Sequence, residues 1–307
     1  MNMVFMGTPE IAATALSSLI NAGHNIMAVF TKPDKPVGRK QILTAPPVKV
    51  LAEEHNIPVF QPETLKDGEA FNILKNINPE IIVVVAYGKL LPKNILNLPK
   101  YGCVNAHASI LPKYRGSSPI QWSIVCGDTE TGITTMYMDE GMDTGDILEI
   151  AKTPINKDET AEELYDRLAV MAGELLNSTL EKIKNGSIIP IKQDNDRASY
   201  APIIKKEMGL LDFNKTANEL HNLVRGFYSW PAAYCFLNGK RLKVLKTEIC
   251  GTTQEAPGSV IKSDNSLVVA CADNTSLRLC ELQLEGAKRT TDKQFLLGNK
   301  IEVGYKF

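Results

Sequence analysis

Five successive aliphatic residues, Ile81-Ile82-Val83-Val84-Val85, constrain the fold of this chain more than any other stretch. A strand with no polar face cannot border solvent on either side, so it belongs in the middle of a parallel sheet covered by helices on both faces. The flanking sequence supplies the partners. Met3 to Met6 reads as a strand, Pro9 to Ala22 as a helix ending at Gly23, and Ile26 to Thr31 as a second strand, which makes a βαβ unit. Val48 to Asn56 and Asp67 to Asn76 carry helical patterns on either side of a short strand at Val59-Phe60. Alternation of this kind predicts an α/β fold with a doubly wound, mostly parallel, Rossmann-like sheet. The first turn reads Gly7-Thr8-Pro9 and the next glycine is Gly23, so the Gly-x-Gly-x-x-Gly fingerprint of a dinucleotide site is absent and a dehydrogenase is disfavoured. Thr8 is expected to cap the helix, with Pro9 in its first turn.

The second half changes character. Thr160 and Glu163 have capping-box spacing ahead of an amphipathic run to Asn185, which Gly186 terminates. Irregular polar sequence follows from Pro190 to Pro202, then a helix from Lys215 to Phe227. Short strands come next, punctuated at Asn238-Gly239, Pro257-Gly258, Asp264-Asn265 and Asp273-Asn274. This predicts a small C-terminal β-barrel, OB-like, with domains at 1–204 and 205–307. Residues 205–307 hold 15 Lys and Arg against 11 Asp and Glu, and the remainder 19 against 24, so a slightly basic barrel follows an acidic first domain. That balance suits either a polyanion or ordinary solvated lysines.

No stretch suits a membrane span or an export signal, which points to the cytoplasm, with a monomer as the default. The six cysteines include no Cys-x-x-Cys pair, which argues against zinc and against a disulfide framework. Cys103 alone is near enough to polar residues to be weighed as a nucleophile.

Those residues are Asn105 and His107. On a strand, positions i and i+2 share a side, so a carboxamide able to donate to a developing oxyanion and an imidazole able to carry a proton would converge on one spot. The segment begins as the apolar run Gly102-Cys103-Val104 and stops at Pro112, which places the pair near the strand's C-terminal end, where open α/β sheets bind ligands. Local hydrogen bonding at a strand end is the plainer role for such a pair. Thirty-odd residues on, Asp139-Glu140-Gly141-Met142-Asp143-Thr144-Gly145-Asp146 gathers four carboxylates and two glycines, without calcium-loop spacing. Gly141 and Gly145 suit tight turns and leave room for a ligand. A carboxylate from this loop reaching His107 would orient the ring and favour its charged form.

Taken together, Asn105, His107, Ser109-Ile110-Leu111-Pro112 ending at Gly116, and Asp139 to Gly145 resemble the 10-formyltetrahydrofolate-dependent formyltransferases. The likeness extends to Gly7-Thr8-Pro9, Lys32 to Arg39, Val85-Ala86-Tyr87-Gly88, Pro119-Ile120-Gln121 and Trp230-Pro231. The resemblance implies that Asn105, His107 and Asp143 are catalytic, and that formyl passes from 10-formyltetrahydrofolate to the α-amino group of methionine carried by initiator tRNA, with no metal. It further implies a pterin pocket bordered by Ala86, Tyr87, Gly88, Leu91, Asp139 and Gly141, with Ser109, Ile110, Leu111 and Pro112 along the route to the formyl group. Apolar packing is the alternative role for Ile110 and Leu111.

The loop from Lys32 to Lys49 holds five cations against Asp34 alone, and its four prolines, 33, 36, 46 and 47, point to an exposed, irregular segment. By resemblance it enters the acceptor stem of tRNA, with Arg39 leading and Lys35 and Lys40 beside it, while Lys206 contributes from the second domain. Departures from the family pattern occur at Lys40-Gln41-Ile42, where a Gly and a Lys pair are expected, at Ile203, and at Tyr228-Ser229. A formyltransferase acting on an amino sugar or another small amine, a formyltetrahydrofolate hydrolase, and a noncatalytic RNA-binding protein are the alternatives.

Overall fold

The computed structural model describes residues 1–38 and 40–307. Its backbone contacts divide the chain into two compact units. The first comprises Met1–Pro119, Glu130–Pro154 and Tyr165–Pro202, and the second Ile120–Thr129, Ile155–Leu164 and Ile203–Phe307. The chain therefore passes between units five times.

The first unit is built on a seven-stranded sheet in the order Ile147–Pro154, Glu130–Tyr137, Cys103–His107, Ile81–Val85, Asn2–Gly7, Asn25–Phe30, Val59–Phe60. Five strands pair in parallel, and Glu130–Tyr137 alone runs the opposite way, pairing antiparallel with Cys103–His107 on one side and Ile147–Pro154 on the other. The mostly parallel, doubly wound expectation is met. Ile81–Val85 pairs on both sides and is at most 4 % exposed along its length, as a strand without a polar face requires. The strand order reverses between Asn2–Gly7 and Ile81–Val85, so the crevice outside the C-terminal ends of the central strands is the place for a ligand.

Two local expectations fail. The helix Glu10–Asn21 has Pro9, not Thr8, at its N-cap, and the Thr8 hydroxyl instead lies 3.4 Å from the Tyr87 carbonyl on the neighbouring crossover. The proline-rich loop is not irregular: Lys35–Val37 and Ile42–Thr44 pair as an exposed two-stranded ribbon. Pro36 is tolerated because both strands of a lone ribbon are edges, where a missing N–H leaves no buried acceptor unpaired. Pro46 and Pro47 then open the helix Pro47–Glu54.

The second unit carries an antiparallel sheet ordered Ala233–Leu237, Lys240–Ile249, Ser276–Leu284, Val268–Ala270, Val260–Lys262, with Thr290–Thr291 beside Ser276–Leu284. The chain's last residues bridge the two ends of this order. Val260 N–H donates to the Tyr305 carbonyl at 2.8 Å and Gly304 N–H to that of Val260, while the Tyr305 hydroxyl accepts from Asn238 N–H at 3.2 Å. One apolar cluster, including Leu220, Val224, Leu242, Val269, Leu279 and Phe295, fills the interior. The helix Ala217–Gly226 is started by a capping box of Thr216 and Glu219. It anchors the segment 155–164: Arg225 donates to the carbonyls of Asn156 and Glu159, and Asp158 lies 3.3 Å from His221 Nε2. In the same unit Trp122 packs edge-on against Phe227. Among the described residues no helix is long and apolar enough to cross a membrane.

Candidate active site

Strand Cys103–His107 pairs in parallel with Ile81–Val85 and antiparallel with Glu130–Tyr137, setting Asn105 opposite Val84 and Met136, and His107 opposite Thr134. The two-residue period puts Asn105 and His107 on one face with Cys103, which joins the apolar cluster of Val4, Met6, Ile82 and Val84. Both polar side chains are buried, at 8 % and 6 % exposure. They differ in what holds them. The Asn105 carboxamide hydrogen-bonds to none of the described residues, so its donors and acceptor are free for a ligand. The His107 ring is anchored: Nε2 lies 2.8 Å from the Tyr114 carbonyl, which only a protonated Nε2 can satisfy. Nδ1 then faces Asp143 Oδ2 across 3.6 Å, the reach of an ion pair rather than of a hydrogen bond.

Asp143 reaches that position from a left-handed backbone, φ 54°, in the acidic loop. Its Oδ2 also accepts from Gly116 N–H at 2.8 Å. The structure therefore brings Asn105, His107 and Asp143 to one place, from one strand and one loop. In the same loop Asp139 is exposed, and its Oδ1 accepts from Gly141 N–H and the Thr144 hydroxyl, which braces the turn. Gly145 leaves room for backbone and not for a ligand, since a Cβ there would sit 1.8 Å from the Tyr137 carbonyl oxygen. Among the described residues no three His, Cys, Asp or Glu side chains gather as for a metal.

The connection from Ser109 to Gly116 is braced by a residue the sequence did not single out. The Thr134 hydroxyl donates to the Ser109 carbonyl at 2.6 Å and accepts from Leu111 N–H at 3.1 Å. Ser109 is fully buried with its Oγ donating to the Lys113 carbonyl, and Leu111 packs with Met136 and Ile147, so both side chains hold the loop. Ile110 and Pro112 keep exposed surface. Along the other border of the crevice, Tyr87 and Leu91 are core residues, and burial pushes the Tyr87 hydroxyl up to about 12. Ala86 and Gly88 are exposed with positive φ, 46° and 72°.

Cys103 is no nucleophile. Burial raises its thiol to about 12, and Sγ points at the carbonyls of Ile95 and Leu96. Of the expected tRNA contacts, Lys35 and Lys40 are exposed on the ribbon and its turn, and Lys206 is exposed in the short helix Lys206–Gly209 of the second unit. Arg39 lies outside the described residues.

The Formyl transferase family pattern matches residues 1–180, and the pattern of the Formyl transferase C-terminal domain matches residues 203–300. Among curated proteins, the methionyl-tRNA formyltransferase of Caldanaerobacter subterraneus subsp. tengcongensis is 48 % identical over 99 % of both chains. That of Geobacter metallireducens is 45 % identical over 100 % of this chain and 98 % of its own. Among solved structures, an N-formyltransferase from Helicobacter canadensis, in complex with folinic acid and dTDP-3-aminofucose, superposes with a TM-score of 0.68 at 21 % identity, covering 94 % of this chain and 100 % of that one. HypX from Aquifex aeolicus, in complex with tetrahydrofolic acid, gives 0.65 at 13 %, covering all of this chain and 51 % of the other. At those identities the structures speak for the fold alone.

Proposed function

The chain belongs to the formyl transferase family along both of its units, and from that premise we propose that it transfers the formyl group of 10-formyltetrahydrofolate to the α-amino group of methionyl-tRNA, in the cytoplasm. The observation that carries this reading at the site is an unoccupied carboxamide, Asn105, two strand positions from a ring held in a defined tautomer with a carboxylate at ion-pair range.

An α-amino group with a pKa of about 7.7 is partly neutral at physiological pH, so it can attack without a covalent enzyme intermediate. As the amine nitrogen bonds to the formyl carbon, negative charge develops on the formyl oxygen. Asn105 Nδ2–H is free to donate to it. His107 contributes through Nδ1, because Nε2–H is committed to the Tyr114 carbonyl, and Asp143 Oδ2 faces that nitrogen at 3.6 Å. The carbon–N10 bond then breaks, N10 takes a proton equivalent to the one the amine loses, and tetrahydrofolate and formylmethionyl-tRNA leave. The exposed cations Lys35, Lys40 and Lys206 suit the phosphates of a tRNA.

Asn105→Ala and His107→Ala, assayed with charged initiator tRNA and labelled 10-formyltetrahydrofolate, should each lose roughly a hundredfold to a thousandfold in kcat while melting near wild type. Turnover within a few-fold of wild type in either would overturn the assignment of roles. Formyl release to water, or transfer to a nucleotide-linked amino sugar in place of the charged tRNA, would overturn the activity itself.

A further inference from the structure

The polar segment after the long helix Ala161–Asn185 reaches back to the acidic loop through one amide. Gln193 Nε2 donates to the carbonyls of Asp143 at 2.8 Å and Gly145 at 2.7 Å, and its Oε1 accepts from Arg115 Nε at 3.1 Å and Nη2 at 2.8 Å. These four contacts fix which end of the amide is which: reversed, it would set oxygen against two carbonyls and NH2 against a guanidinium. Arg115 Nη2 also donates to Asn195 Oδ1 at 2.9 Å.

Arg115 is 2 % exposed, and among the described residues no carboxylate lies within ion-pair distance of it. A buried cation without an anion depends on the acceptors it has, and here those are amide oxygens. The amide of Gln193 is thus polarised by a buried charge on one side while it donates on the other. Arg115 is followed by Gly116, whose N–H holds the Asp143 carboxylate, and Arg115–Gly116 pairs in parallel with Tyr200–Ala201 of the same segment. Asp143 is consequently held twice, at its side chain by Gly116 and at its backbone by Gln193. Both holds trace to Arg115–Gly116 and the segment it pairs with.

We propose that Gln193, oriented by Arg115, is a positioning residue that sets Asp143 against His107. The inference rests on the catalytic reading of Asp143 above. Gln193→Ala deletes both donors. Gln193→Glu keeps an acceptor for Arg115, now as an ion pair, but turns oxygen toward the two carbonyls. Each should lower kcat by about 10- to 100-fold, the range for displacing a catalytic group by a fraction of an ångström to an ångström, with KM for folate and for methionyl-tRNA within about twofold of wild type.

A double-mutant cycle separates positioning from mere support. In an Asp143→Asn background, Gln193→Ala should cost less than about threefold more, because the group it positions is already disabled. Losses that multiply in full overturn the proposal. So does wild-type turnover of either single variant, or a fall of both melting temperatures large enough to assign Gln193 to folding. Asp143→Asn alone tells the two readings apart. A fully active Asp143→Asn sinks the catalytic assignment, whereas a slow Asp143→Asn beside fast Gln193 variants sinks only the positioning role.

Discussion

Replacing Gly145 by alanine tests how closely the acidic loop is held. A Cβ built there would lie 1.8 Å from the Tyr137 carbonyl oxygen and 2.8 Å from its carbon, both backbone atoms of a paired strand that cannot rotate away. Reaching ordinary van der Waals separation requires the loop to retreat by about 1.5 Å. Overpacking of this kind costs about 1–3 kcal/mol, or a fall of roughly 3–10 °C in Tm for a unit of this size. The functional cost should be larger in proportion. The Gly145 carbonyl is one of the two acceptors of Gln193, and Asp143 stands two residues away at 3.6 Å from His107, so a shift of that size should lower kcat by about a hundredfold. Gly141 in the same loop is the control. A Cβ there meets the Thr144 side chain, 2.0 Å from Oγ1, and a hydroxyl can turn aside at the expense of its hydrogen bond to Asp139. Gly141→Ala should therefore stay within about fivefold of wild type. Single-turnover formyl transfer and thermal melting of both variants give the answer. Gly145→Ala as active as Gly141→Ala would refute the argument that this loop's backbone placement sets the rate.

Three further outcomes follow from the geometry. Burial raises the thiols of Cys103, Cys235 and Cys271 to about 12, so iodoacetamide at pH 8 should label exposed Cys126 in the native protein and leave those three unmodified, as read by peptide mass spectrometry. His221 has its folded pKa held below the ordinary 6.5 by burial and then by Arg225, against the opposing pull of Asp158. The unfolded chain thus binds the proton more readily, and stability present above pH 6.5 is lost as pH falls below it; His221→Gln should flatten that decline in melts between pH 7 and 5, leaving the part due to His24, which burial also lowers. The KM for methionyl-tRNA should rise with salt while that for folate stays level, and Lys35→Ala or Lys40→Ala should each reduce the logarithmic salt slope by roughly one; an unchanged slope would remove the ribbon from the tRNA interface.

Much of this architecture was readable where local chemistry and tertiary packing agree. Ile81–Val85 has only one environment in which it can sit, Thr160 and Glu163 close the capping box their spacing promises, and Asn238-Gly239 turns the hairpin that its positive φ values require. Asn105 and His107 could be placed on one face because a strand's period is two. The residues that hold them were not visible in the same way. Gln193 and Arg115 meet across 78 positions, and nothing in an irregular polar stretch marks which amide will turn inward. Thr134 lies on a strand where a threonine signals only β-propensity, yet its hydroxyl fastens the loop after His107 at two points. The ribbon at Lys35–Thr44 was hidden by Pro36, whose exclusion from sheets holds for interior strands and not for an edge. Thr8 lost its capping role to an approach by Tyr87 that no neighbouring residue foretells.

The repeated passage of the chain between its two units has a bearing on how such a protein can be cut and recombined. Because residues 120–129 and 155–164 fold with material that begins only at 203, no single scissile bond yields two fragments that each keep all of their own interior. A fragment ending at 202 would carry two stretches severed from their natural neighbours, and one starting at 203 would leave Arg225 without the carbonyls of Asn156 and Glu159 and His221 without Asp158. Exchange of the C-terminal portion between relatives is therefore a transplant at several seams, in which both short internal stretches must travel with it.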